Sequence, residues 1–365
     1  MKQPAIRPTA WGLTPDDWRR VCAELGAPAF RAAQIWHGLH ARLAPDWDAI
    51  AVLPAALRRQ LAGRYDAAAL ALSEAREAPD GVCKSLLLCR DGEAVESVLI
   101  PADGRWTLCI SSQAGCAFGC VFCASGAAGL SRNLEAGEIA GQVVLAARWL
   151  RERGVERPHN VVVMGMGEPL ANYDAVLQAL RILNAPEGLT IGARHITIST
   201  CGVVPGIRRL AEEGVQFELS VSLHAPSDAL RDRLMPVNKR WPLAELLAAC
   251  RDYTARTGRI VTFEYTLVAG VNDRPEHAAE LAERLRGDKC RVNLIPLSPV
   301  AEFDGRPPEP AVCEAFQCAL EASRVNVTLR RSRGGGVDAA CGQLRLHRRK
   351  QVVPLVPPVP QVPSP

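Results

Sequence analysis

The sequence predicts an α/β protein in which a parallel sheet, doubly wound or curled into a full or partial (β/α) barrel, follows a small helical domain. Three observations carry that prediction. Up to about residue 75 the apolar positions recur at helical spacing. From about residue 83 the period changes to short runs rich in β-branched residues, bounded by DG and ADG turns. Such runs then alternate with helical stretches, as in a parallel sheet whose strands are joined by crossover helices.

Taken in order, TPDDWRRVCAELG, AFRAAQIWHGLHARL and LPAALRRQLAGRY each carry a helix start signal and three-to-four spacing. They make an arginine-rich helical domain over residues 1–75, in which Trp36, His37, His40 and Trp47 read first as core aromatics and solvated polar groups. KSLLLC, ESVLIP and RWTLCISS read as strands. Next come strands NVVVMGMG, RHITIST, FELSVSLH, VTFEYTLV, CRVNLIPL and VNVTLRRS, interleaved with helices such as LEAGEIAGQVVLAARWLRE, NYDAVLQALRIL and LAELLAACRDYTAR. This second unit covers residues 76–344. Residues 345–365, a basic knot followed by Pro-rich sequence, cannot join a core and are expected to be disordered.

Composition excludes several classes. Hydrophobic residues make up 48% and charged residues 22%, with a net charge of +4, too mild to mark a nucleic-acid binder. No run reaches the roughly 18–20 apolar residues of a membrane span, and the first residues lack the apolar centre of a signal peptide. The expectation is a cytoplasmic protein with no membrane partner. Its 13 cysteines are then reduced thiols, some used for metal or chemistry. Cys22, Cys250, Cys313 and Cys318 fall in apolar helical patterns and read as small hydrophobes. Cys83, Cys89, Cys201 and Cys290 have no informative spacing.

Cys116, Cys120 and Cys123 in CAFGCVFC are different. They follow the strand TLCISS, at the edge where parallel α/β folds place their sites. Structural zinc wants four ligands, and no second C-x-x-C or H-x-x-x-H completes a set. An iron–sulfur cluster held by three thiolates would keep one iron open for chemistry.

C-x-x-x-C-x-x-C after the first barrel strand is the signature that radical S-adenosylmethionine (SAM) enzymes carry. SSQAGCAFGCVFCASG, SRNLEAGEI, VVVMGMGEPL, ISTCGVVPGI, SVSLHAPSDALRDRLMPVNK, VNLIPLSP and VDAACGQL together resemble the RlmN and Cfr group of RNA adenine methyltransferases, from the helical domain to about Leu344. The resemblance implies a partial (β/α) barrel of the radical SAM type. It implies a [4Fe–4S] cluster on Cys116, Cys120 and Cys123, and two SAM molecules per turnover. Gly167 and Glu168 would hold the SAM amino group, and Ser199, Ser222, Leu223, His224 and Asn293 would hydrogen-bond SAM. Read alone, each of these is a turn or strand-cap residue.

By the same resemblance Cys341 becomes S-methylcysteine, and its methylene radical adds to an electrophilic adenine carbon where a polar methyl transfer finds no nucleophile. Cys109 would then release the adduct by forming a disulfide with Cys341, and Glu96 would be the proton acceptor. Without the resemblance Cys109 reads as a buried thiol and Glu96 as a solvent-facing strand residue. The implied reaction is methylation at adenine C2 of 23S rRNA, with a tRNA as second substrate; C8 methylation of the Cfr kind, or a non-RNA substrate, is the alternative. A low-potential electron donor such as flavodoxin and a monomeric state are implied as well. The chain departs from the family pattern at Gly336, where an acidic residue is usual, and at Ser125, where threonine is common. RNA would be met by Arg19, Arg20, Arg31, Arg58, Arg59, Arg132, Arg330, Arg331 and Arg333, with the target base splayed into the pocket.

Overall fold

The computed structural model of the chain describes residues 7–127, 129–298, 300 and 303–330. Three helices come first: α1 (Pro15–Glu24), α2 (Phe30–Trp36, continued by a π turn over His37–Ala41) and α3 (Ala55–Arg64). A capping box starts α1, in which Thr14 Oγ1 accepts from the Asp17 N–H and the Asp17 carboxylate from the Thr14 N–H. Trp18 meets Trp47 and Tyr65 edge-to-face, and Trp36 and His40 are buried. The plain reading of those aromatics as core holds.

Strands β1 (Leu70–Glu77), β2 (Cys83–Cys89), β3 (Ala94–Ala102) and β4 (Arg105–Cys109) form an antiparallel ladder. A two-stranded ribbon, β5 (Gln113–Gly115) with β6 (Leu130–Asn133), brackets the cysteine loop and the one-turn helix α4 (Ala124–Ala127). The alternating part follows: α5 (Ala136–Arg151), β7 (Asn160–Val163), α6 (Tyr173–Asn184), β8 (Ile196–Thr200), α7 (Val204–Glu212), β9 (Glu218–Ser222), α8 (Asp228–Leu234), α9 (Leu243–Thr257), β10 (Val261–Leu267), α10 (Pro275–Arg284), β11 (Cys290–Pro296), α11 (Pro310–Ala322) and β12 (Val327–Leu329). One sheet runs β1-β2-β3-β4-β7-β8-β9-β10-β11-β12, parallel from β4 onward. Its edge strands β1 and β12 do not pair with each other, so the barrel is partial, as expected.

Two expectations fail. LALSEARE, rich in good helix formers, is strand β1 rather than the end of the helical region, because pairing with β2 overrides local propensity. Cys318 is exposed on α11 rather than packed.

The sheet has two unlike faces. Leu87, Val95, Leu99, Leu108, Val161, Ile198, Leu219, Val221, Phe263 and Val292 face the helices and belong to one continuous core. Residues one position away face the opposite side, as the two-residue repeat of a strand requires. That inner face carries Lys84, Glu96, Cys109, Ser199, Ser220, Ser222, Glu264 and Asn293, following the strand registers. A parallel strand covered on both sides has no bland reason for such a row of polar groups. No described helix is long and apolar enough to cross a membrane.

Candidate functional site

The cysteine loop is pinned at several backbone points. Cys116 N–H donates to Gly129 O (3.1 Å), Cys123 N–H to Cys120 O (3.1 Å) and Val121 N–H to Leu234 O at the end of α8 (3.1 Å). Gly119 turns the loop with φ +64, in the left-handed region that glycine enters at little cost. The three thiols are half-buried and close enough to act on one another electrostatically. Burial pushes Cys116 up to about 11; the Phe118 backbone N–H opposes the rise and Cys123 adds to it. Burial also raises Cys120, helped by Cys123 and Cys116. Left alone these thiols keep their protons, and a coordinated metal would remove them.

Among the described residues no three His, Cys, Asp or Glu side chains converge as they would on one metal ion. Three thiolates on one short loop, with no second C-x-x-C or H-x-x-x-H to make up a four-ligand zinc set, fit iron–sulfur ligation. Ser125 Oγ, buried two residues beyond Cys123, has no hydrogen-bond partner.

MGMGEP joins the end of β7 to the end of β4. Gly165 N–H donates to Ile110 O (3.0 Å) and Ser112 N–H to Met166 O (2.8 Å), and the Gln113 side chain accepts from Glu168 N–H (2.8 Å). Gly167 has φ +99, and a Cβ there would meet Gln113 Cβ at 2.5 Å, so only glycine fits. Glu168 is buried and accepts from Leu170 N–H (2.9 Å) and Cys201 N–H (2.7 Å), with burial holding its carboxyl above the ordinary value. A cationic amine would supply the counter-charge this carboxyl lacks.

Four neighbouring strands line up the remaining residues. Ser222 on β9, Glu264 on β10 and Asn293 on β11 are register partners, and Ser199 on β8 pairs with Ser220 on β9. Asn293 Nδ2 donates to Glu264 Oε1 at 3.1 Å, while Glu264 Oε2 is buried with no hydrogen-bond partner at full bonding geometry among the described residues. Beyond β9, Leu223 is buried and His224 adopts φ +56. His224 Nδ1 accepts from Thr266 N–H (2.8 Å), which leaves the ring proton on Nε2, and burial lowers the imidazole to about 3. The His224 ring also packs edge-on against Phe122 of the cysteine loop, with centroids 4.8 Å apart.

Arg231 on α8 ties these ends together. Its guanidinium is fully buried and donates to the carbonyls of Cys201 (2.7 Å), Ser222 (3.0 Å) and Leu223 (3.1 Å) and to Asn238 Oδ1 (3.0 Å). Cys109 and Glu96 lie on the same inner face, on β4 and β3. Glu96, expected from its residue type to face solvent, is instead 2% exposed and ion-paired with Lys84 Nζ at 2.9 Å.

Glu264, Arg231 and Lys84 escaped the sequence reading. One signal was available: a charged residue within a mostly apolar strand such as VTFEYTLV or CKSLLLC is unexpected where both faces are buried. Cys341, Gly336, Arg331 and Arg333 lie outside the described residues. Arg132, among the arginines expected to meet RNA, donates to Glu138 (2.7 and 2.8 Å), Asn133 O and Asp91.

Residues 110–282 match the family model of the radical SAM superfamily. The "Probable dual-specificity RNA methyltransferase RlmN" of Symbiobacterium thermophilum is 49% identical over 92% of this chain and 90% of its own. The protein of the same name from Gemmatimonas aurantiaca is 50% identical over 91% of each chain. The chain belongs to the RlmN family. Its fold agrees: the crystal structure of a radical SAM methyltransferase from Sphaerobacter thermophilus superposes with a TM-score of 0.90 at 47% identity, covering 92% of this chain and 98% of that one. RlmN-type enzymes are radical SAM RNA methyltransferases, and membership implies SAM and a [4Fe–4S] cluster in general.

Proposed function

We propose that the chain methylates C2 of an adenine in 23S rRNA, and in a tRNA as second substrate, through an S-methylcysteine at Cys341. The observation that carries this reading is the inner face of the sheet. There Cys109 and Glu96, a thiol and a carboxylate with no structural need to coexist, share one wall with the row Ser199, Ser222 and Asn293. The dual specificity in the relatives' name supports carrying both RNA classes.

Cys116, Cys120 and Cys123 would hold the cluster. Glu168 with the Gly167 turn would receive the SAM amino group, and Ser199, Ser222, Leu223, His224 and Asn293 would fix the rest of the molecule. When bound, the cluster and SAM supply a 5′-deoxyadenosyl radical, one SAM serving this role and a second methylating Cys341. The chain's own residues do the remainder: the Cys341 methylene joins the adenine carbon, Glu96 accepts the proton lost from that carbon, and Cys109, losing its thiol proton, closes a disulfide with Cys341 as the S–CH2 bond breaks, the freed methylene taking up a proton and the one surplus electron returning to the redox partner. The helical residues 1–75 form an accessory RNA-binding surface in this reading. Exposed Arg19, Arg20 and Arg59, with exposed Phe30 under the Arg31 guanidinium (4.8 Å), suit phosphate contacts and base stacking.

The test uses anaerobically reconstituted full-length protein with a 23S rRNA fragment or tRNA, SAM and a reductant such as flavodoxin, followed by mass spectrometry of digested RNA. C2-methyladenosine is expected from wild type and is lost in Cys341→Ala and Cys116→Ala. C8-methyladenosine would move the assignment to the Cfr-like reaction. SAM cleavage without RNA methylation would overturn the substrate.

A further inference from the structure

The ion pair between Lys84 and Glu96 lies in the inner wall, and neither proposed role so far involves the lysine. In the β2–β3 ladder Lys84 pairs with Val98 and Leu86 with Glu96, so the two charged side chains are diagonal neighbours on one face. Val98 in turn pairs with Cys109 on β4. The other face of the same strands, carrying Ser97, Leu99 and Leu108, lines a cavity together with Gln142 and Trp149 of α5. Lys84 is 0% and Glu96 2% exposed, with 2.9 Å between Nζ and Oε2.

Such a pair is a poor way to gain stability, since removing two charges from water costs about as much as their attraction returns. An apolar pair of similar volume would complete the wall at least as well. What an ammonium adds is direction, because a charge-assisted contact at 2.9 Å favours one rotamer of the Glu96 carboxylate.

We propose that Lys84 is the positioning residue for the Glu96 carboxylate, holding it toward the adenine carbon that loses its proton. The proposal rests on the reading of Glu96 as proton acceptor. In the step concerned, the C–H bond of the adduct carbon breaks, the proton passes to a Glu96 oxygen, and the electron pair stays in the purine ring. Lys84 keeps its proton throughout and changes from the partner of a carboxylate to the donor toward a neutral acid.

The test compares Lys84→Met, Glu96→Gln and the double variant in the reconstituted full-length enzyme with RNA, SAM and reductant. Readouts are iron content, Cys341 methylation by peptide mass spectrometry, covalent protein–RNA adduct on denaturing gels, and methyladenosine. For Lys84→Met the expected result is wild-type iron and Cys341 methylation, an accumulated adduct, and methyladenosine production at least about tenfold slower. The double variant is expected to be no slower than Glu96→Gln alone, since Lys84 acts only through that carboxylate. If Lys84→Met loses its fold because the Glu96 carboxylate is left buried without its ammonium, the double variant, which removes both charges, decides the matter by this same comparison. A Lys84→Met enzyme turning over within twofold of wild type while Glu96→Gln stalls, or a double variant much slower than Glu96→Gln, overturns the role of Lys84 and leaves that of Glu96. Wild-type turnover by Glu96→Gln overturns the base assignment itself.

Discussion

His40 is fully buried, stacked on Trp36 with ring centroids 4.1 Å apart, and neither ring nitrogen has a hydrogen-bond partner. Burial lowers its pKa from 6.5 to about 3. Between those values the unfolded chain binds a proton that the folded chain refuses, so stability rises with pH across this window and is lost as acid is added below 6.5. His40→Phe removes this dependence. In urea titrations, the stability difference between variant and wild type is expected to change by about 1.4 kcal/mol per pH unit in the acid part of the window. A difference independent of pH would mean the ring takes its proton in place. Spacing alone singled out the cysteine triplet, because spacing is local, whereas Gly167, Glu168 and the strand-end groups were named only through the family resemblance. Neither located Lys84, Arg231 or Glu264, whose meaning depends on which face is buried, and that is decided only when distant strands assemble.

Helix α5 is the element that joins the helical region to the barrel. Gly137 and Gly141, one turn apart, leave a groove on its surface into which residues 9–12 settle. A Cβ at Gly137 would lie 2.1 Å from Thr9 Cγ2 and 2.8 Å from the Gly12 nitrogen, and one at Gly141 would lie 2.7 Å from Trp11 Cε3. Gly137→Ala should therefore destabilise by about 1–3 kcal/mol despite the better helix propensity of alanine, because backbone must move. The urea midpoint of the variant measures it, and an unchanged or raised midpoint would show that the N-terminal segment can shift at no cost. At this scale the sequence was read well wherever one element stands between clear start and stop signals. It misled at β1, whose Ala, Glu and Arg content suits a helix, since β2 supplies a partner that local preference cannot foresee.

Across the whole molecule one apolar core runs from Trp11, Trp18 and Trp36 through α5 and α6 to Phe263 and Phe316. Arg148 and Arg151 reinforce the junction by donating to the carbonyls of Leu43 (2.9 Å), Ala44 (2.7 Å) and Ala41 (2.8 Å). Four of the seven tryptophans lie before residue 48 and three within the barrel, so their fluorescence and the far-ultraviolet circular dichroism are expected to report one coincident unfolding transition. Two separated transitions would mean that the helical region folds by itself. The parallel order of the sheet was legible from the strand–helix alternation, whereas the antiparallel ladder before it was legible only in part. That ladder and the parallel strands also differ in how soon they can form. Tight turns join β2, β3 and β4, so the wall holding Glu96 closes through short loops, while each parallel pairing waits for an intervening crossover to be traversed. The floor beneath the cysteine loop arrives with Leu234, far along the chain. In the reading proposed above, the nascent polypeptide thus pairs the strands that carry Glu96 before the loop that carries Cys116, Cys120 and Cys123 can meet its partner on α8.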